Sequence, residues 1–133
     1  MRLSTAIHIG SMTTKQIMGE MTDGGNGRCA LGAALEAANI TIHDIRTSDI
    51  PNVNFNAACL KWPILNDRVH NPVSGLKSRL LDVVWILNDC HGWSRDAISD
   101  FVESIENEHE AKQMEAKEKQ ELLEEATTLK ETA

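Results

Sequence analysis

The 133-residue chain has no tyrosine, and two phenylalanines and three tryptophans are its whole aromatic content. A core must therefore come from aliphatic side chains, and at 41% apolar residues the chain has enough of them for one domain of ordinary size. Cysteine is scarce too. Cys29, Cys59 and Cys90 form an odd set with no close spacing, which argues against a disulfide framework and points to a reducing compartment. Structural zinc sites bring ligands in close pairs such as C-x-x-C, and none is present, so no metal is expected. There is no long apolar run. The opening "MRLSTAIHIGSM" has neither the core of a secretory leader nor the length of a membrane span, so a cytoplasmic protein without membrane contact is expected.

A surplus of positive charge is also missing. The formal charge is −7. From Glu103 onward ten acidic residues face four basic ones, whereas the first 102 residues hold ten and nine. A nearly neutral body followed by an acidic tail lacks the basic footprint of a nucleic-acid binder, so no direct nucleic-acid contact is expected.

What is present reads as helix. Ser4 is a candidate N-cap for a short helix over 4–12, with Ile7, Ile9 and Met12 as apolar contacts. "KQIMGEM" fits helix and strand templates alike and runs into "TDGGNG", so a short hairpin or an irregular loop is expected near 16–29. "RCALGAALEAAN" is the clearest helix of the first half, and its small side chains call for close packing by another element. Between Ile40 and Pro72 three prolines punctuate the chain, with one short helix in "NAACLKW" ending before Pro63. From Val73 to Asn88, Leu76, Leu80, Val83, Val84 and Leu87 make a core-facing stripe. Gly92 reverses the chain, and Ser94 opens a further helix whose stripe is Ala97, Ile98, Phe101, Val102 and Ile105. Beyond Ile105 the chain is rich in Glu, Lys and Ala, with Glu108–Lys112 and Glu115–Lys119 in the favourable i,i+4 order. A continuous helix from Ser94 to Leu129 would measure about 54 Å at roughly 1.5 Å per residue. The expected architecture is mainly α: a small helical domain over 1–105 and an acidic helical extension over 106–133.

Four constellations could carry chemistry. Cys29 opens the alanine-rich helix, where a thiol can be activated, with His91 or His70 as base and Asp89 or Asn88 as orienting group. The alternative is a small buried side chain among alanines. "DGGNGR" precedes the same helix, and Gly25, Gly27 and Arg28, with His91 and Trp93, are candidates for a nucleotide or other phosphate-bearing ligand. The string is neither a P-loop nor a dinucleotide fingerprint, and a plain turn is the alternative. "ILNDCHGWS" reads as a helix-hairpin turn that leaves Cys90 and His91 without a structural role. In the tail, Glu115, Glu118, Leu122, Leu123, Glu124 and Glu125 are candidates for partner contact or for homo-oligomerisation, without the sustained heptad of a coiled coil.

The layout resembles a group of small, largely uncharacterised bacteriophage and prophage proteins. The shared blocks are Leu3-Ser4-Thr5-Ala6-Ile7 with Gly10, Cys29 to Ala34, Trp62-Pro63, and Leu87 to Glu103. They span residues 3 to about 105 and leave out the acidic tail. Some members carry a C-x-x-C between the Trp-Pro block and the last block, which this chain lacks. The resemblance implies a phage setting but no activity. It fits a non-enzymatic, cofactor-free protein that inhibits a host defence or regulatory protein with a basic surface. A protein sequestering a nucleotide or signalling molecule, or a cysteine-dependent hydrolase, are the alternatives.

Overall fold

The structure is a computed structural model that describes residues 1–132; Ala133, the last residue of the expected extension, lies outside them. It is mainly helical, with 60% helix and 8% strand. The chain divides into two compact units, Met1–Glu103 and Ser104–Ala133.

In the first unit, helix α1 spans Leu3–Thr13 and buries Leu3, Ala6, Ile7 and Gly10, an i, i+3, i+4, i+7 face. Ser4 is not its cap. Arg2 holds that position, and Ser4 lies buried two residues further in, its carbonyl accepting from Ser99 Oγ at 2.8 Å. Strand β1, Lys15–Gln16, pairs with β2, Gly27–Arg28, and helix α2 follows at Ala30–Ala37. The pairing is parallel, so the segment is not a hairpin. Residues 17–26 turn through a full loop and return the chain in its original direction, with Thr22 bridging to Arg28.

Helix α2 ends where the Asn in "EAAN" suggests. Asn39 is left-handed at φ 57°, and the Asn39 and Ile40 N–H groups donate to the carbonyls of Glu36 and Leu35. This is a Schellman ending, and asparagine tolerates its φ better than most residues. Helix α3, Val53–Lys61, and a 3₁₀ turn, Pro63–Asn66, fill the proline-punctuated stretch. Trp62 between them is buried and donates from Nε1 to the Met1 carbonyl at 3.0 Å.

Strands β3, Arg68–His70, and β4, Lys77–Arg79, form an antiparallel ribbon, and helix α4 runs Leu80–Asp89. The helix expected from Val73 therefore starts seven residues late. Asn71 Oδ1 accepts from the amides of Val73 and Ser74, which turns the chain, and Leu76 is left 72% exposed. The rest of the stripe is correct: Leu80, Val83, Val84 and Leu87 are fully buried. Gly92, at φ 63°, makes the reversal, and Ser94 Oγ accepts from the Ala97 amide at 3.1 Å as the cap of α5.

Helix α5 spans Arg95–Thr132, 38 residues or about 57 Å. Residues 104–132 make up the described part of the second unit. Glu108 and Lys112 pair at 3.2 Å; the expected pair of Glu115 with Lys119 is not formed among the described residues. Every residue from Glu110 to Glu131 is exposed.

The first unit turns on the contact of α1 with α2. A Cβ built on Gly10 would overlap the backbone carbonyl of Ala33, so only hydrogen allows the approach. Elsewhere in a helix, Gly→Ala stabilises by up to about 1 kcal/mol. Here overpacking against backbone wins: Gly10→Ala is expected to destabilise by roughly 2 kcal/mol, read as a fall in Tm of about 6 °C. An unchanged or raised Tm would remove the contact from its central place.

Candidate functional site

Apart from His70 on β3, the sequence candidates of the body lie on or beside β1, β2, the start of α2 and the junction of α4 with α5. Asn88 is the hub. It is fully buried, and its Oδ1 accepts from Gln16 Nε2 at 3.0 Å and from the Ala30 amide at 3.2 Å. Its Nδ2 donates to the Ile17 carbonyl at 2.9 Å and to Asp89 Oδ1 at 2.7 Å. A buried amide is costly unless satisfied, and here all of its bonding capacity is taken by the fold.

Beside it lies Arg95, only 6% exposed. Its Nη1 donates to Thr14 Oγ1 at 2.6 Å and to the Arg28 carbonyl at 3.4 Å; its Nη2 donates to the Thr14 carbonyl at 2.6 Å and the Ser11 carbonyl at 3.2 Å. The end of α1 leaves carbonyls without helical partners and carries partial negative charge, and the guanidinium answers both. Burial pulls the Arg95 pKa below its ordinary value, with Asp96 opposing, but an arginine remains charged at neutral pH.

Cys29 is the N-cap of α2, and its Sγ accepts from the Gly32 amide at 3.3 Å. Burial pushes its thiol pKa up, and the negative charge of Asp89 adds to the rise. A nucleophile needs the opposite shift and a base in reach. His91 is exposed and forms no hydrogen bond with Cys29, and His70 Nδ1 bonds instead to the Gly75 carbonyl at 3.1 Å. The geometry thus matches the small buried side chain, not the activated thiol. Cys90, the other residue without a structural role in the sequence, is exposed like its neighbour.

The glycine loop is likewise committed. Asp23 Oδ1 accepts from the amides of Gly25 and Gly27 at 2.8 and 3.0 Å, and Thr22 Oγ1 accepts from Gly24 at 3.1 Å. The place where a phosphate would sit is filled by the chain's own carboxylate. Arg28 folds back on the same loop: Nη1 donates to Thr22 Oγ1 and to the carbonyls of Gly25 and Gly27 at 2.7–2.8 Å, and Nη2 pairs with Glu36 at 3.2 Å. At the start of α2 the Ala30 and Gly32 amides are held by Asn88 and Cys29. Trp93 is half-buried and takes part through its backbone, its carbonyl accepting from Gln16 Nε2 at 2.7 Å. Of the anion-site candidates, Gly25, Gly27 and Arg28 are therefore brought together as one another's partners, whereas Trp93 bonds to Gln16 and His91 stays exposed.

A groove of about 350 Å³ lies elsewhere in this unit, lined among others by Phe55, Cys59, Asn66, Arg79, Asp82 and Trp85. None of the sequence candidates faces it. Trp85 Nε1 donates to Asp82 Oδ1 at 3.3 Å, and Asp82 Oδ2 pairs with Arg79 at 3.5 Å. Burial raises the Cys59 thiol pKa. Among the described residues no three His, Cys, Asp or Glu side chains come together in a way that could hold a metal ion. No described helix is long and apolar enough to cross a membrane.

The tail candidates Glu115, Glu118, Leu122, Leu123, Glu124 and Glu125 are all exposed, with Leu122 and Leu123 at 65% and 63%. At about 100° per residue these two leucines point to different sides; Leu122, Ala126 and Leu129 share a face. Sequence reasoning passed over Gln16 and Arg95, the two long polar side chains that tie the body together. A signal existed for Arg95: it is the lone basic residue among Asp96, Asp100 and Glu103.

Replacing Arg95 by Met strands the Ser11 and Thr14 carbonyls and is expected to cost roughly 3 kcal/mol in chemical denaturation, while Lys, which cannot fork, recovers only part of it. Hydrogen bonds from the Gly25 and Gly27 amides hold the Asp23 carboxyl below its ordinary range. The folded pKa is lowered, so this contribution is present above the unfolded value of about 4 and fades as pH falls through the folded one. The Gly25 and Gly27 amide resonances should move together in that acidic window, and Asp23→Asn should abolish the movement. No family model, curated protein or solved structure matches the chain.

Proposed function

We propose that this is a non-enzymatic binding protein of the phage type that inhibits a host defence or regulatory protein by direct contact, acting in the host cytoplasm. The observation that supports the reading is the contrast between the two units. In the body, the groups that could serve chemistry or a phosphate ligand are used by the fold: Cys29 as a cap, Asn88 and Arg95 as clamps, Asp23 and Arg28 as loop ties. The 104–132 helix instead presents its side chains to solvent from Glu110 to Glu131. It carries most of the chain's net negative charge and the exposed apolar residues Met114, Leu122, Leu123 and Leu129.

An acidic helix with apolar anchors suits a basic partner surface, as a mimic of nucleic acid does. Charge complementarity speeds encounter and selects the partner, and the apolar side chains contribute burial once docked. The nucleotide-sequestering and cysteine-hydrolase readings draw no support from the geometry, because their key groups already have partners.

Charge reversal on the full chain tests the reading. Wild-type protein immobilised in bacterial lysate is expected to retain a basic protein, with retention falling steeply as salt rises. Glu115→Lys, Glu118→Lys, Glu124→Lys and Glu125→Lys together should abolish retention without altering the helical circular dichroism. Equal capture by wild type and variant would end the acidic-arm mechanism.

A further inference from the structure

The β3–β4 ribbon puts basic side chains where a stable ribbon avoids them. Arg68 lies directly opposite Arg79, and His70 directly opposite Lys77. Cross-strand partners share a face, as do residues two apart on one strand, so all four side chains stand together. All four residues are exposed, while Val69 and Ser78 between them are half-buried. Like charges directly opposite each other destabilise a strand pair. The bonds within the ribbon orient the face without neutralising it: Arg68 Nη2 donates to the Lys77 carbonyl at 3.3 Å, and His70 Nδ1 to the Gly75 carbonyl at 3.1 Å. Asp82 offsets part of the charge by pairing with Arg79 at 3.5 Å.

The rest of the chain supplies the complementary charge. Glu118, Glu121 and Glu125 fall at i, i+3 and i+7 on one side of the 104–132 helix, around Leu122. Glu121 and Glu125 are a like-charge i,i+4 pair, which weakens an isolated helix. Their spacing of about 6 Å is close to the roughly 5 Å across a ribbon and 7 Å along one strand. Each surface repels itself, and each would be relieved by the other.

We propose that the β3–β4 face docks the acidic helix of a second copy of this chain. Reciprocal exchange makes two identical contacts and closes a two-fold dimer with no open end. The contact is built from exposed charges, so it is sensitive to salt. It goes beyond the functional reading above and needs no foreign partner, so a failure here leaves that reading standing, and the reverse holds too. If both are right, a basic partner competes with the ribbon for the helix.

Sedimentation velocity of the purified full chain tests it. The wild type is expected to be dimeric at about 50 mM salt and at least tenfold weaker in association at about 500 mM. Arg68→Glu with Lys77→Glu should leave monomer, as should Glu118→Lys with Glu121→Lys and Glu125→Lys. Mixing these two variants pairs an acidic ribbon with a basic helix, and a basic ribbon with an acidic helix. The mixture should therefore recover a heterodimer that neither variant forms alone, a readout that misfolding cannot imitate. Monomeric wild type at low salt, a dimer that survives ribbon reversal, or no heterodimer on mixing would each overturn the proposal. So would association that appears only with DNA or RNA present and vanishes on nuclease treatment, which would assign the ribbon to phosphate backbones.

Discussion

The body of this protein depends on a buried guanidinium that is held by carbonyls. Arg95, from the first turn of α5, gathers Ser11, Thr14 and Arg28, which belong to the end of α1 and to β2. Desolvating a charge is expensive, and the cost is offset only when nearly every donor is used. That requirement places three segments distant in sequence at one point. Once they are there, α1 can lie against α2 at the Gly10–Ala33 approach, and the loop from Ile17 to Asn26 is closed at both ends. Asn88 performs the neighbouring task for α4, tying its last turn to Gln16, Ile17 and Ala30.

This arrangement explains why features that look catalytic in the sequence serve the fold. A glycine-rich loop before a helix, a cysteine at the helix start and an arginine beside it are the ingredients of an anion or acyl site. Here the loop closes around Asp23, the cysteine caps, and the arginine bonds to the loop's own carbonyls. A ligand would have to displace an intramolecular carboxylate that carries no cost of association. Exposed charge is concentrated elsewhere, on the β3–β4 ribbon and along the helix from Glu110 to Glu131.

Much of the helical layout was legible. The stripes in α4 and α5 obey a 3.6-residue period because one face of each is buried, and Gly92 and Ser94 mark the junction between them. The alanine block announced close packing, and Asn39 announced its end. What misled was local resemblance. Leu76 continues the α4 stripe in spacing, yet Asn71 captures the amides of Val73 and Ser74 and starts a turn first. The 16–29 segment has hairpin composition, yet its ends pair in parallel, a long-range outcome that turn residues do not encode. Ser4 has the chemistry of a cap but falls on the buried face of α1.

The sequence by itself determined the helical class, the positions of the chain reversal and the split between a neutral body and an acidic tail. These follow from periodicity, turn chemistry and charge count, all of which are local or additive. Only the tertiary structure decided which polar groups remain available. Cys29 and Arg28 are taken up by partners within eight residues, but Asn88 is held by Gln16, Ile17 and Ala30, 58 to 72 residues away, and the sequence carries no spacing rule for those. The ribbon face is the same kind of fact: Arg68 and Arg79 become neighbours only through strand register, so a chain of net negative charge still presents a small basic face.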